Sequence, residues 1–278
     1  MEFATELISL LERFSRISPL PRVRALHLPP PELAGTKQGE FCAVELDDGS
    51  LGLSYVLLDD TLASLAASPD RFGLLGCDAL EAARRYASSD AVTRTLGFAS
   101  ANALTRCLFD RAGYVPDASA DSIGRIDPRA GDHVGMIGHF SPLIGRVVAA
   151  GAQLTVVELK PELAGDHDGY RVTLDPSELG ACNKVLSTST ILLNATLDRM
   201  LASCRGAELF AMIGPGASCV PDPLFSRGVS VVGGSWITDP QGFVDALAQG
   251  GSWTSCARKF TIERTGYPGA DALFERLR

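Results

Sequence analysis

The sequence is poor in the groupings that announce a function. It has no Lys/Arg cluster and carries a formal net charge of −8, so the electrostatic footprint of a nucleic-acid binder is missing. No apolar run is long enough to cross a bilayer. The opening Met1-Glu2-Phe3-Ala4-Thr5-Glu6 lacks the basic and then apolar regions of a signal peptide. Seven cysteines (Cys42, Cys77, Cys107, Cys182, Cys204, Cys219 and Cys256) never fall in C-x-x-C spacing. They read as reduced, packed thiols of a cytoplasmic protein, not as a disulfide frame or a closed zinc site. There is no G-x-S-x-G elbow and no Cys–His pairing. Histidine is scarce, at four residues, and no two stand at i, i+4.

What is present is organised around Asp132 to Pro142. Val134 to Ile137 reads as a buried strand, Gly138 as a tight turn, and Ser141 as the opening of a helix. Leu154 to Val157 is a second apolar strand, ending in Glu158. Strand, glycine turn, helix, strand and acid form the layout of a Rossmann-like first unit. The glycine pattern is G-x-x-G, not G-x-G-x-x-G, so the fold signal exceeds the cofactor signal.

The front half reads as α+β. Leu7, Ile8, Leu10, Leu11 and Phe14 repeat at helical spacing, with Thr5 as the expected cap. Val23 to Leu28 reads as a strand, and Pro29-Pro30-Pro31 forces a loop. Phe41 to Leu46 and Leu51 to Leu58 form a hairpin about Asp48-Gly49. A helix follows over about 59–67, before a break at Ser68-Pro69-Asp70 and Gly73. Two more helices cover about 78–86 and 90–110. In the second, Gly97, Ala99, Ser100 and Ala101 are small, which predicts close packing of another element. Asn102 is a polar amide within that apolar stretch. It requires partners, from the core or from a ligand.

Residues 111–130 are rich in Gly, Pro, Asp and Ser and read as a linker. This divides the chain into 1–110, the linker, and a back domain over 131–278. The back half alternates strand and helix, which argues a mainly parallel sheet with helices on both faces. Gly165 to Gly169 reads as an irregular acidic loop. Each strand ends in small or polar residues: Gly138-His139, Glu158, Thr188 to Thr190, Gly214 to Ser218, and Gly233-Gly234. In such sheets the ligand crevice lies beyond these ends.

The runs Val134–Pro142, Val157–Pro161, Ser187–Asp198, Ile213–Ser218 and Pro223–Val229 resemble the putative heavy-metal chelation family. So do Ser89–Val92 and Leu96–Leu104 upstream. The resemblance implies an enolase-N-terminal-like α+β domain followed by a Rossmann-like domain, with a cleft between them. Two departures stand out. Ser187-Thr188-Ser189-Thr190 replaces a Thr-Gly-containing run, and Asn194-Ala195-Thr196 replaces Asn-Gly-Thr. The second change fills space or costs a backbone conformation.

The candidate ligand-binding residues are Gly138, His139, Phe140, Glu158, Ser189, Thr190, Asn194, Thr196, Gly214, Ser218 and Asn102. His139 and Glu158 are the candidate metal ligands, since imidazole with carboxylate suits a divalent transition metal. Asp166, His167 and Asp168 are weaker candidates. In a second reading Glu158 meets the ribose of an S-adenosylmethionine-like or nucleotide-like cofactor. A third is a non-catalytic partner in a metal-handling pathway. The expected partners are a small-molecule or metal ligand and a second copy of the chain, with neither nucleic acid nor membrane.

Overall fold

A computed structural model describes residues 2–67, 72–121 and 123–278. The break expected at Ser68-Pro69-Asp70 lies outside these residues. The chain opens with helix α1 (Phe3–Ile17), which buries Phe3, Leu7, Ile8, Leu11 and Phe14 on one side. Its cap position is Glu2, and Thr5 sits inside the first turn. Strands β1 (Val23–His27), β2 (Phe41–Leu46) and β3 (Leu51–Tyr55) then form an antiparallel three-stranded sheet in that order. The turn between β2 and β3 holds Gly49 at φ 86°, the left-handed conformation that glycine adopts without a steric cost.

Helices α2 (Thr61–Ala67), α3 (Ala79–Arg84) and α4 (Ala91–Arg111) complete the front half. Asp78 caps α3 and Asp90 caps α4 through their side chains. Helix α4 is buried around most of its circumference, including Leu96, Phe98, Asn102, Leu104 and Leu108, as befits a helix with apolar or small residues on every side. Its small residues do what the sequence suggests. A Cβ on Gly97 would lie 2.0 Å from the Tyr86 nitrogen. One on Gly52 of β3 would lie 2.1 Å from the Ala103 nitrogen and 2.2 Å from the Ala99 oxygen. Backbone thus packs on backbone where β3 crosses α4.

The back half is one nine-stranded sheet in the order β4-β12-β11-β10-β9-β5-β6-β8-β7. Its strands are β4 (Asp117–Ala118), β5 (His133–Ile137), β6 (Gln153–Val157), β7 (Gly165–His167), β8 (Tyr170–Thr173), β9 (Lys184–Thr188), β10 (Leu209–Ile213), β11 (Val231–Ile237) and β12 (Ala257–Glu263). The six from β11 to β8 are mutually parallel. β12 pairs antiparallel with β11 and with the edge strand β4, and the opposite edge, β7, pairs antiparallel with β8. Helices α5 (Ser141–Ala149), α6 (Leu197–Ser203), α7 (Asp222–Phe225), α8 (Pro240–Ala248) and α9 (Ala270–Glu275) surround the sheet.

Two expectations are corrected. The stretch 165–169 is a hairpin, β7–β8, whose turn carries Asp168-Gly169 with Gly169 at φ 80°. Arg171 holds it by pairing with both Asp166 and Glu178 at 3.0 Å. Gly233-Gly234 is likewise no strand end. β11 runs on to Ile237 because β12 pairs with it residue by residue, Gly233 with Thr261 and Gly234 with Phe260. The 111–130 segment crosses between the halves and also builds the back half. Asp117–Ala118 is an edge strand, and Ile123 and Ile126 are buried against Val134, Leu186 and Ala211.

The sheet divides the core. One face packs with α5 around Val134, Met136, Ile144, Val147 and Val156. The other joins the front half in a continuous cluster that reaches from Leu11 and Leu104 to Ile137, Val157, Met200 and Phe274. The front half is therefore packed onto the sheet, not hung beside it.

Candidate functional site

Strand order locates the crevice. β5 leads through α5 to β6 on one side, whereas β9 lies on its other side. The chain therefore switches direction between β5 and β9, where open α/β sheets place their ligands. At that point Gly138 turns with φ 91°, and its N–H donates to the Val157 carbonyl at 2.9 Å. A Cβ there would lie 3.2 Å from Thr188 Cγ2, so the tips of β5 and β9 nearly touch. One strand further, a Cβ on Gly214 would meet Ser189 Oγ at 2.4 Å.

β3 lies like a beam along the β10 and β11 end of this rim. Alternate residues of a strand share a face and stand about 7 Å apart. Leu51 and Leu53 border the same cavity as Ser235 and Ile237 at the end of β11. The Leu53 carbonyl lies 3.8 Å from the Cβ position of Gly216, in the loop after β10. Tyr55, at the end of the beam, feels the charge of Glu158 beyond β6. Burial and then the carboxylates of Glu40 and Glu158 push the Tyr55 hydroxyl above its ordinary pKa, so it stays a neutral phenol. Glu40 is itself raised by burial, partly offset by Lys37. Sequence reasoning missed Tyr55 and Glu40. The Asp48-Gly49 turn fixes the register that brings the two strand ends together, but only the strand order shows what they roof.

The sequence candidates separate into two groups. At the outer corner, the Glu158 carboxylate accepts from the N–H of His139 at 3.0 Å, of Leu159 at 2.7 Å and of Lys160 at 3.3 Å. It staples the turn after β5 to the turn after β6. His139 Nδ1 lies 3.2 Å from Ser141 Oγ, and its ring stands 6.2 Å from Tyr170. Phe140 packs toward the α5 side of the sheet. His167 stacks on Tyr170 at 4.7 Å and meets the Leu163 carbonyl at 2.9 Å. These side chains do not converge. Among the described residues no three His, Cys, Asp or Glu side chains gather closely enough to hold a metal ion. The Glu158 carboxylate accepts from backbone amides, and the His139 imidazole lies beside Ser141.

At the inner seam the contacts are tighter. Asn102 is 1% exposed. Its Nδ2 donates to the Leu53 carbonyl at 2.7 Å and to the Gly216 carbonyl at 3.0 Å, joining β3 and the β10 loop through α4. Ser218 Oγ donates to the Pro215 carbonyl at 3.1 Å. Thr188 Oγ1 accepts from the Thr190 N–H at 3.2 Å and donates to Thr190 Oγ1 at 3.0 Å, closing the turn that Ser189 and Thr190 open. Asn194 Oδ1 accepts from the Thr196 hydroxyl at 2.6 Å and N–H at 3.3 Å. Between them Ala195 sits at φ 57°, so the departure from glycine costs a backbone conformation. Asn194 and Thr196 bond to each other.

Fold and site together define a class: a two-part α/β protein in which a hairpin of the front half packs at the β10 and β11 tips of a mainly parallel sheet. The chain belongs to the family described as putative heavy-metal chelation, whose models match residues 122–265 and 39–105. Solved structures of proteins of unknown function from the same family share its shape. One from Desulfitobacterium hafniense is 21% identical, covers 92% of this chain and 98% of its own, and has a TM-score of 0.66. One from Pyrococcus horikoshii is 20% identical, covers 92% and 99%, and has a TM-score of 0.67. An uncharacterised protein of Methanocaldococcus jannaschii is 29% identical over 156 residues, 55% of this chain and 58% of that one. The match thus spans little more than half of that relative. Among the described residues no helix is long and apolar enough to cross a membrane.

Proposed function

We propose that the protein binds a small organic ligand between the β3 beam and the tips of β5, β9 and β10. The link to heavy metals then runs through that ligand, as a chelator or as a chelated metal. The observation that carries the reading is the beam itself, with the Leu53 carbonyl 3.8 Å from the Cβ position of Gly216 and held by Asn102 at 2.7 Å. A neutral phenol and the hydroxyls of Ser189 and Thr190 suit a polar molecule more than a bare ion. A bare transition metal needs several side chains at short distances, and that grouping is absent among the described residues.

The test is mass spectrometry and metal analysis of protein purified without chelators. A small molecule is expected to travel with the protein, and any metal is expected to leave with it. Stoichiometric metal with no organic companion, lost in His139→Ala, would overturn the proposal in favour of a protein-built centre. A ligand at about 100 times its dissociation constant raises stability by roughly 2.7 kcal/mol, so a thermal-shift screen gives a second readout. Stabilisation by S-adenosylmethionine or adenine nucleotides that Glu158→Ala abolishes would replace the chelator reading with a cofactor reading.

A further inference from the structure

Helix α4, β3, the loop after β10, the end of β11 and Phe260 of β12 line a cavity of about 20 Å³, above the roughly 10–15 Å³ that one water needs. Asn102, Arg106, Ser218, Ser235 and Trp236 are among its walls. The Asn102 amide is oriented by its neighbours. Two carbonyls, of Leu53 and Gly216, face it at 2.7 and 3.0 Å and need donors, so the nitrogen is turned to them. The oxygen Oδ1 is left over, fully buried and without a hydrogen-bond partner. A buried acceptor in that condition costs about 1–3 kcal/mol unless something donates to it.

The wall groups are suited to complete it through one small bridging molecule. The Ser218 hydroxyl hydrogen goes to the Pro215 carbonyl, which leaves its lone pairs to accept. Ser235 supplies a second hydroxyl. Arg106 is already committed, with Nε on Asp110 at 2.7 Å, Nη1 on the Ile237 carbonyl at 2.9 Å, and its guanidinium 3.9 Å from the Trp236 ring centre. It closes the cavity and keeps it polar at one end.

We infer that this cavity is a binding site for a single water-sized hydrogen-bond donor, water itself in the free protein, which donates to Asn102 Oδ1 and bridges it to the serine hydroxyls. With that molecule in place Asn102 ties together four elements: α4, β3, the loop after β10, and β11. The clamp that sets the beam over the strand tips is then part protein and part water.

The test is a crystal structure of the whole chain at a resolution that shows ordered water, with Ser218→Ala and Ser235→Ala alongside. One water is expected within hydrogen-bonding distance of Asn102 Oδ1 and of at least one serine hydroxyl. It should be lost in at least one variant, with a fall in Tm of about 2–4 °C there. A dry cavity in the parent protein overturns the inference, and so does a water that persists unchanged in both variants. Oxygen-17 relaxation dispersion counts long-lived internal waters in solution. The parent should hold one more than Asn102→Leu, and equal counts would refute the site even if that variant is less stable.

Discussion

The inner seam and the outer corner lie on the same rim of one sheet, yet they are built by different rules. In the seam, side chains bond across elements distant in sequence. Asn102 reaches Leu53 and Gly216, the Thr105 hydroxyl accepts from the Val220 N–H at 3.1 Å, and Tyr86 donates to the Leu192 carbonyl at 2.7 Å. In the corner, Glu158, His139 and Ser141 bond mostly to their own turns. Long-range polar contacts in a dry place fix one geometry, since a lost partner leaves a buried group unsatisfied. Short-range contacts at a wet edge leave the geometry to the strands. The seam therefore sets the shape of the crevice, and the corner is where a ligand can add interactions cheaply.

The sharpest way to break this contrast is Asn102→Asp. The substitution sets a carboxylate against the Leu53 and Gly216 carbonyls, and Arg106 in the wall of the same cavity is already committed to Asp110 and the Ile237 carbonyl. A destabilisation of about 3–5 kcal/mol is expected for an unpaired buried charge, read as a fall in the urea midpoint. A loss below about 1 kcal/mol would mean that the seam is loose and does not govern the crevice.

A second prediction uses the opposite end of the sheet as a control. Asp132 accepts from Lys184 Nζ at 2.8 Å, Asn183 Nδ2 at 3.0 Å and the Arg129 N–H at 2.8 Å. Chiefly Lys184, and then Asn183, hold its pKa down at about 2. A lowered folded-state pKa contributes stability that is complete above the unfolded value, near about 4, and is lost as pH falls toward the folded one. Asp132→Asn should therefore lower Tm at pH 6, and its gap from the parent should narrow between about pH 4 and 2. The crevice ligand, whatever its identity, should bind the variant unchanged, because this cluster sits at the entry side of β5 and β9. A gap that is constant with pH would show that the carboxylate contributes nothing as an ion.

At the corner, Glu158→Gln keeps the length of the side chain but loses the charge that three N–H groups share. About 1–2 kcal/mol of stability should go with it, measured by chemical denaturation. The same variant shows whether Glu158 is a staple or a ligand group. A staple loses stability with little change in binding, and a ligand group loses binding well beyond the loss in stability.

How much of this was legible in the sequence follows the same division. Strand, glycine turn and helix at Val134 to Ser141, the helix starts near residues 78 and 90, and the small face of α4 are local signals, and each produced the element it suggests. The hairpin at β7–β8 carried the Asp-Gly signal of the β2–β3 turn and was hidden by its acidic composition. β11 was cut short because two glycines read as an end, whereas only its pairing with β12 decides where it stops. Site residues were legible as strand tips but not as a set. Whether His139 faces the crevice or Tyr170 depends on side-chain direction after a turn, which spacing does not encode. Tyr55 and Glu40 were invisible for a related reason, since they matter only because β3 lies across strands a hundred residues away. Ala195 was the exception, where a sequence departure named its own cost. At φ 57°, Ala195→Gly should stabilise the protein by about 0.5–1 kcal/mol, seen as a higher Tm. A lower Tm would mean that the methyl group packs usefully.

The smallest expected effect is the most discriminating. His139→Ala removes a ring whose contacts are a 3.2 Å approach to Ser141 and a tilted face 6.2 Å from Tyr170. The backbone N–H that Glu158 holds at 3.0 Å belongs to the main chain and survives the substitution. Stability should therefore change by no more than about 0.5 kcal/mol, as at a surface position with no buried partner. Because the fold is unaffected, any loss of a co-purifying ligand or metal in this variant must come from the ring itself. Unchanged ligand content would place the binding determinants inward, under Tyr55 and along the tips of β5 and β9. Loss of metal alone, with the organic ligand retained, would show that the corner completes the coordination of a metal that the ligand brings.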